Sequence, residues 1–142
     1  MTNTNCSFCN SDGGRLLVKT AAFRVVVIDD PDLAGYIRVI SNRHLKEMTD
    51  CTEDESVELI ALMLKIERVM RTVLTPDKIN LASLGNITPH LHWHVIARWS
   101  DDAFFPDSIW SARRRETDPQ QRRIRGEKAE LFFTALKAAL AA

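Results

Sequence analysis

The run His90-Leu91-His92-Trp93-His94-Val95-Ile96-Ala97-Arg98 restricts what this chain can fold into more than any other stretch. Side chains alternate faces along a β-strand, so His90, His92, His94 and Arg98 are expected on one face and Leu91, Trp93, Val95 and Ala97 on the other. One face carries chemistry and the other is core. Three of the four histidines in 142 residues fall within five positions. A half-buried strand ordinarily turns common polar residues outward, so a cluster of imidazoles points to a site.

The rest of the chain predicts an α+β frame for that strand. Residues 15–20 and 23–28 are rich in Val, Leu and Ile, and Asp29-Asp30-Pro31-Asp32 supplies turn chemistry after them, which reads as a hairpin or meander. Residues 35–40 form a third strand, with Tyr36, Arg38 and Ile40 on one side and Ile37 and Val39 on the other. Thr52 and Glu55 make a capping box, in which each side chain satisfies an orphan amide at a helix start. Leu59, Leu62, Met63, Ile66, Val69, Met70 and Val73 then recur at three and four residues, and Pro76 stops the run. Residues 78–84 and 90–99 are expected as an antiparallel pair joined through residues 85–89. Residues 100–125 have little periodicity and are expected as an irregular arm. Residues 126–142 close the chain as a helix with Ala129, Phe132, Phe133, Leu136 and Leu140 as its apolar stripe. The expectation is one domain over residues 1–142, with an antiparallel sheet of about five strands, a long helix after the third and a C-terminal helix.

Composition excludes several function classes. Lys plus Arg and Asp plus Glu are both 19, so zero net charge gives no basis for nonspecific binding to nucleic acid or to an anionic membrane. No apolar run approaches the ~20 residues that cross a bilayer, and the first residues lack a signal-peptide pattern, so a cytoplasmic protein is expected. Cys6, Cys9 and Cys51 are an odd number, which suits reduced thiols or a metal site better than a disulfide framework.

Alternate strand positions lie about 6.5 to 7 Å apart, so neighbouring histidines can address successive groups of one extended ligand such as a polyphosphate. A neutral imidazole is a competent nucleophile near neutral pH, and the phosphoimidazole it forms is readily hydrolysed. Such a transfer otherwise needs positioned donors at the non-bridging oxygens, which the flanking histidines and Asn86 can supply.

These residues resemble the histidine triad (HIT) family, whose signature is His-φ-His-φ-His-φ-φ with φ apolar; His90-Leu-His-Trp-His-Val-Ile fits every position. Gly85-Asn86 stands where the family usually has Gly-Gln, Ser41-Asn-Arg-His44 looks like its Pro-Lys-Arg-His element, and Ala97-Arg98 replaces its Pro-Arg. The resemblance covers roughly residues 6–99. It implies a hydrolase or nucleotidyl transferase acting on nucleotides, similar to dinucleoside polyphosphate and nucleoside phosphoramidate hydrolases, that works without a catalytic metal and pairs into homodimers. In that family pattern His92 attacks the α-phosphate, His94 binds phosphate and assists the leaving group, and Asn86 and Asn80 contact substrate. Some bacterial members carry structural zinc on a Cys2His2 set, for which Cys6, Cys9, His44 and His90 are the counterparts here; the alternative is two reduced cysteines in an N-terminal turn.

Two other functions fit the same residues. An HxH pair can hold catalytic zinc if a further ligand and a carboxylate base are close, and Asp101-Asp102 is the nearby acidic pair. A triad can also belong to a nucleotide-binding or zinc-stabilised interaction module without turnover. The arginines at 113, 114, 115, 122, 123 and 125 either attract a polyphosphate or RNA or pair with acids. Phe104, Phe105 and Trp110 either wall a base pocket or pack at a dimer interface or in the core. Cys51 is read as an incidental thiol.

Overall fold

The computed structural model describes residues 3–141. Met1, Thr2 and Ala142, at the ends of the expected unit and of the expected final helix, lie outside the described residues. A short helix α1 (Ser7–Asn10) leads into strands β1 (Arg15–Lys19), β2 (Phe23–Val27) and β3 (Ile37–Ser41). Helix α2 (Glu53–Leu74), strands β4 (Lys78–Ala82) and β5 (His92–Arg98), and helix α3 (Pro119–Ala141) follow. The sheet order is β1-β2-β3-β5-β4 with every neighbouring pair antiparallel, so β5 enters between two strands laid down earlier.

Local chemistry sets these boundaries. Thr52 accepts from the Glu55 amide while Glu55 reaches back to the Thr52 amide, the expected capping box, and Thr75 closes α2 in the left-handed region at φ 45°. Helix α3 begins seven residues earlier than the expected 126, which shortens the irregular arm to residues 100–118. Its start signal is Asp118-Pro119: the Asp118 carboxylate accepts from the Gln120 amide, and proline suits the first helical position because its missing N–H has no partner there anyway. Gly126 lies inside the helix, and a single glycine costs only about 1 kcal/mol relative to Ala.

The two faces of the sheet have different roles. Val25, Val27, Ile37, Val39, Val95 and Ala97 form one core with Leu59, Ile66 and Met70 of α2 and Phe132 and Leu136 of α3. On the opposite face, Cys6 and Phe8 pack on Val26 and Ile40, while Leu33, Tyr36 and Ile96 pack with Phe104 and Ile109 from the arm. Both faces of β5 are therefore covered, and the N-terminal turn and the arm stand at either side of a gap over its histidines. Among the described residues no helix is long and apolar enough to cross a membrane.

The far end of β5 is fixed by an ion pair. Arg98 donates from Nε and Nη2 to the two carboxylate oxygens of Asp102 at 2.8 and 3.1 Å, and both side chains are almost fully buried. Asp102 also accepts from the amides of Trp99, Phe104 and Phe105. Removing one partner of a buried pair leaves an uncompensated charge, so Asp102→Ala is expected to cost about 3 to 5 kcal/mol in urea unfolding. A loss below ~1 kcal/mol would mean that the pair does not anchor the arm.

Candidate active site

His92 and His94 lie on β5 opposite Ile40 and Arg38 of β3, and direct antiparallel partners share a face. His90 does not belong to the strand. Its amide bonds to the Thr88 carbonyl in a turn, and Leu91 is tied to Ser41 and Leu45, so the regular ladder starts only at His92. The three histidines are thus two strand positions and a fully buried anchor just before them.

Each strand imidazole has one nitrogen committed. Nδ1 of His92 donates to the His90 carbonyl at 2.6 Å, because a carbonyl can only accept; in the neutral ring this leaves the Nε2 lone pair free. Nδ1 of His94 lies 2.6 Å from the Tyr36 hydroxyl. Burial pushes the Tyr36 hydroxyl above its ordinary value, so it stays protonated at neutral pH. Burial also lowers His92, opposed by the bond to the His90 carbonyl, and takes His94 down to about 3 with the charges of His92 and Arg38 adding to the effect. Both rings are neutral at pH 7. They edge a cavity of about 490 Å³, a volume suited to a nucleotide-sized ligand, whose wall also includes Phe8, Arg38, Asn86 and Trp110.

A second constellation adjoins it. The ligand atoms of Cys6, Cys9, His44 and His90 all lie within 4.8 Å of one another. Nδ1 of His90 is 3.3 Å from Cys6 Sγ, 3.6 Å from Cys9 Sγ and 3.2 Å from His44 Nδ1, and Cys9 Sγ is 3.4 Å from His44 Nδ1. Four ligands at Zn–S and Zn–N lengths of about 2.3 and 2.05 Å make tetrahedral edges of roughly 3.3 to 3.8 Å, close to this spacing. Nε2 of His90 donates to the Ser41 carbonyl at 2.7 Å, which fixes the tautomer with Nδ1 free to ligate. The donor set fits a metal ion.

Other residues are divided between the cavity and the scaffold. Asn86 is on the cavity wall, whereas Asn80 is outside it and accepts from Arg98 Nη1 at 2.9 Å. Asp102 is buried in its ion pair and Asp101 is held by Arg125, so neither is an unengaged base beside the histidines. The arginine runs pair with acids: Arg113 and Arg122 with Asp32, Arg114 with Asp107, Arg123 with Glu127. Arg115 donates to the carbonyls of Asp102 and Phe105. Trp110 reaches the site with its ring 4.9 Å from His94, while Phe104 packs with Leu33 and Tyr36, and Phe105 lies against Arg98. Cys51 packs partly buried at the edge of the main core. Tyr36, Arg38 and Phe8 had no individual signal as site residues; the alternation of β3 puts Tyr36 and Arg38 on one face, but only the β3–β5 register brings that face to the histidines.

An antiparallel sheet with a buried histidine pair at a nucleotide-sized cavity defines a class of fold and site, and comparison with known proteins agrees. The HIT domain family model matches residues 13–101, and the chain belongs to that family. It is 36% identical over 77 residues to an AP-4-A phosphorylase of Mycobacterium tuberculosis, across 50% of this chain and 40% of the relative. It is 26% identical over 104 residues to an asymmetrical bis(5'-nucleosyl)-tetraphosphatase of Schizosaccharomyces pombe, across 70% and 57% of the two chains. The alignments therefore span only about half of these relatives' own length. Among solved structures, a histidine triad protein of Bradyrhizobium japonicum matches with a TM-score of 0.70 and 25% identity over 87% of this chain and 88% of that one. A zinc-bound histidine triad family protein of Mycobacterium smegmatis matches in fold, with a TM-score of 0.64 and 23% identity over 96% of each chain.

The state of His94 can be checked through acid stability. Its folded value, about 3, lies below the ordinary value of 6.5, so the unfolded chain takes up a proton that the native state resists. The stability this gives is complete above the unfolded value and disappears as pH falls toward 3. Urea unfolding of His94→Asn should show on the order of 2 kcal/mol less loss than wild type between about pH 6.5 and 4.5. Parallel pH curves for the two proteins would contradict a neutral, buried His94.

Proposed function

We propose that the protein is a nucleotide hydrolase or nucleotidyl transferase that acts at an α-phosphate through a covalent nucleotidyl intermediate on His92. The observation that carries this reading is the Nδ1 bond of His92 to the His90 carbonyl, which presents an unprotonated Nε2 beside a nucleotide-sized cavity. In the first step that lone pair attacks the α-phosphorus, an N–P bond forms, and the bond from phosphorus to the leaving group breaks with its electrons. In the second step water, or a phosphate acceptor, attacks the same phosphorus and the N–P bond breaks, returning neutral His92. With the Tyr36 hydroxyl donating to Nδ1, His94 would donate an Nε2–H hydrogen bond to a phosphate oxygen and to the oxygen of the departing phosphate, which leaves as an anion, so the ring keeps its proton throughout. Asn86, on the cavity wall, would donate its amide to a non-bridging oxygen. Relatives named for cleaving dinucleoside tetraphosphates support a dinucleoside polyphosphate substrate.

Cys6, Cys9, His44 and His90 would hold a zinc ion, which supplies a structural crosslink between the N-terminal turn, the end of β3 and the start of β5. His92 and His94 lie outside that set, which favours a metal-free reaction over a zinc-dependent one. A homodimer, a cytoplasmic location and a single HIT unit belong to the same proposal.

His92→Ala is expected to lower turnover of diadenosine tetraphosphate by at least about 10⁴-fold while the protein still folds, as read by circular dichroism at the assay temperature, and acid quenching of wild type should trap nucleotide on protein. Turnover by His92→Ala near the wild-type rate would refute the covalent route. A panel of dinucleoside polyphosphates and phosphoramidates that are bound but never cleaved would make the protein a binding module instead.

Elemental analysis should find about one zinc per chain, and chelation should lower the melting temperature without abolishing turnover at temperatures where the fold persists. Loss of activity in a folded, metal-free protein would favour zinc-dependent hydrolysis.

A further inference from the structure

The cavity has an electrostatic imbalance. Of the side chains that line it among the described residues, Arg38 is the one arginine and there is no lysine or carboxylate; the others are the two histidines, Asn86, Thr88 and apolar groups. Any nucleotide brought there carries at least one negative charge on phosphate, and a polyphosphate carries several.

Arg38 is also incompletely used by the protein. It stands on β3 directly opposite His94, with its guanidinium carbon 5.7 Å from the ring centroids of both Phe8 and Tyr36. Nη1 donates to the Gly13 carbonyl at 3.2 Å. Nε is buried without a hydrogen-bond partner among the described residues, and no carboxylate forms an ion pair with the side chain there. An unpaired buried donor on a charged group is costly unless a ligand satisfies it. By contrast, the arginines at 113, 114, 122, 123 and 125 are all engaged by acids. A guanidinium near two rings, with Nε unpartnered, keeps a flat fork of donors, the geometry that matches two oxygens of one phosphate.

We propose that Arg38 is the phosphate-recognition residue of this site and selects substrates by the number of phosphate charges they carry. The inference rests on the nucleotide reading above and adds to it the residue that would favour dinucleoside polyphosphates over singly charged phosphoramidates. Arg38 lies level with His94 on the neighbouring strand, two residues along from Ile40, the partner of His92. It can hold the phosphate chain while His92 and His94 carry out the transfer.

The test compares wild type, Arg38→Gln and Arg38→Lys on diadenosine tetraphosphate, diguanosine tetraphosphate and adenosine phosphoramidate. A charge-assisted hydrogen-bond pair should make Arg38→Gln lose about 100-fold in kcat/KM on both tetraphosphates and less than about 5-fold on the phosphoramidate. Arg38→Lys, which keeps the charge but not the fork, should recover part of the tetraphosphate loss. Unchanged rates, or an equal loss on all three substrates, would overturn the proposal. A loss confined to the guanosine compound would also overturn it, in favour of recognition of the base edge. If wild type cleaves none of the three, the nucleotide reading itself has failed. Calorimetry with inorganic tripolyphosphate then decides for Arg38 alone: tight binding to wild type and loss in Arg38→Gln support it, and equal binding to both proteins overturns it.

Discussion

The insertion of β5 between β3 and β4 is the constraint on which the rest of the structure depends. A strand in that place pairs on both edges, and here it is also covered on both faces. One face extends the core made with α2 and α3; the other contributes His92, His94 and Ile96 to the opposite layer. Buried polar groups need partners, and those found here are the His90 carbonyl for His92, the Tyr36 hydroxyl for His94 and the Asp102 carboxylate for Arg98. The partners position the rings, and the His90 carbonyl fixes the tautomer of His92, while burial is what lowers the affinity of both rings for a further proton.

The two covers of the site are attached by different means. At the N-terminal side, Arg24 is buried on β2 and donates to the carbonyls of Phe8, Ser11, Asp12 and Ser41. One side chain thus ties the turn bearing Cys6 and Cys9 to the sheet, and the Phe8 ring comes to 4.9 Å from the His92 ring. At the other side the arm has no regular structure, and hydrogen bonds to Asp102, Arg98 and Arg115 take the place of a ladder. The Phe8 side is therefore held by a cation among carbonyls, and the Trp110 side by charge pairs and a small apolar cluster.

Much of this was legible in the sequence because it follows from local periodicity. The alternation in β3 and β5, the capping box at Thr52 and the stop before Pro76 are short-range signals, and the fold obeys them. The Cys6, Cys9, His44 and His90 set follows from the family pattern rather than from periodicity, and the four residues do converge. What could not be read depends on which strands are neighbours. Arg38 looks like an ordinary outward residue until β3 is placed beside β5, and Asp102 looks like a turn residue until Arg98 is found to be buried. The early start of α3 was legible in Asp118-Pro119 but hidden by Gly126, a residue that more often marks an end.

A strand with no free face or edge leaves little latitude for change, since a substitution at any position disturbs either the core or the opposite layer. The cavity wall is different. Phe8 comes from a four-residue helix, Asn86 and Ile87 from an exposed connection, and Trp110 from an arm without secondary structure. These segments touch the ligand space but contribute little to sheet pairing. The fixed strand and most of the wall around it are thereby separated in the chain: three short coverings can be exchanged without altering the pairing of β5. Reshaping of the cavity in this scaffold would accordingly start at residues 8, 84–88 and 110 and leave β5 untouched.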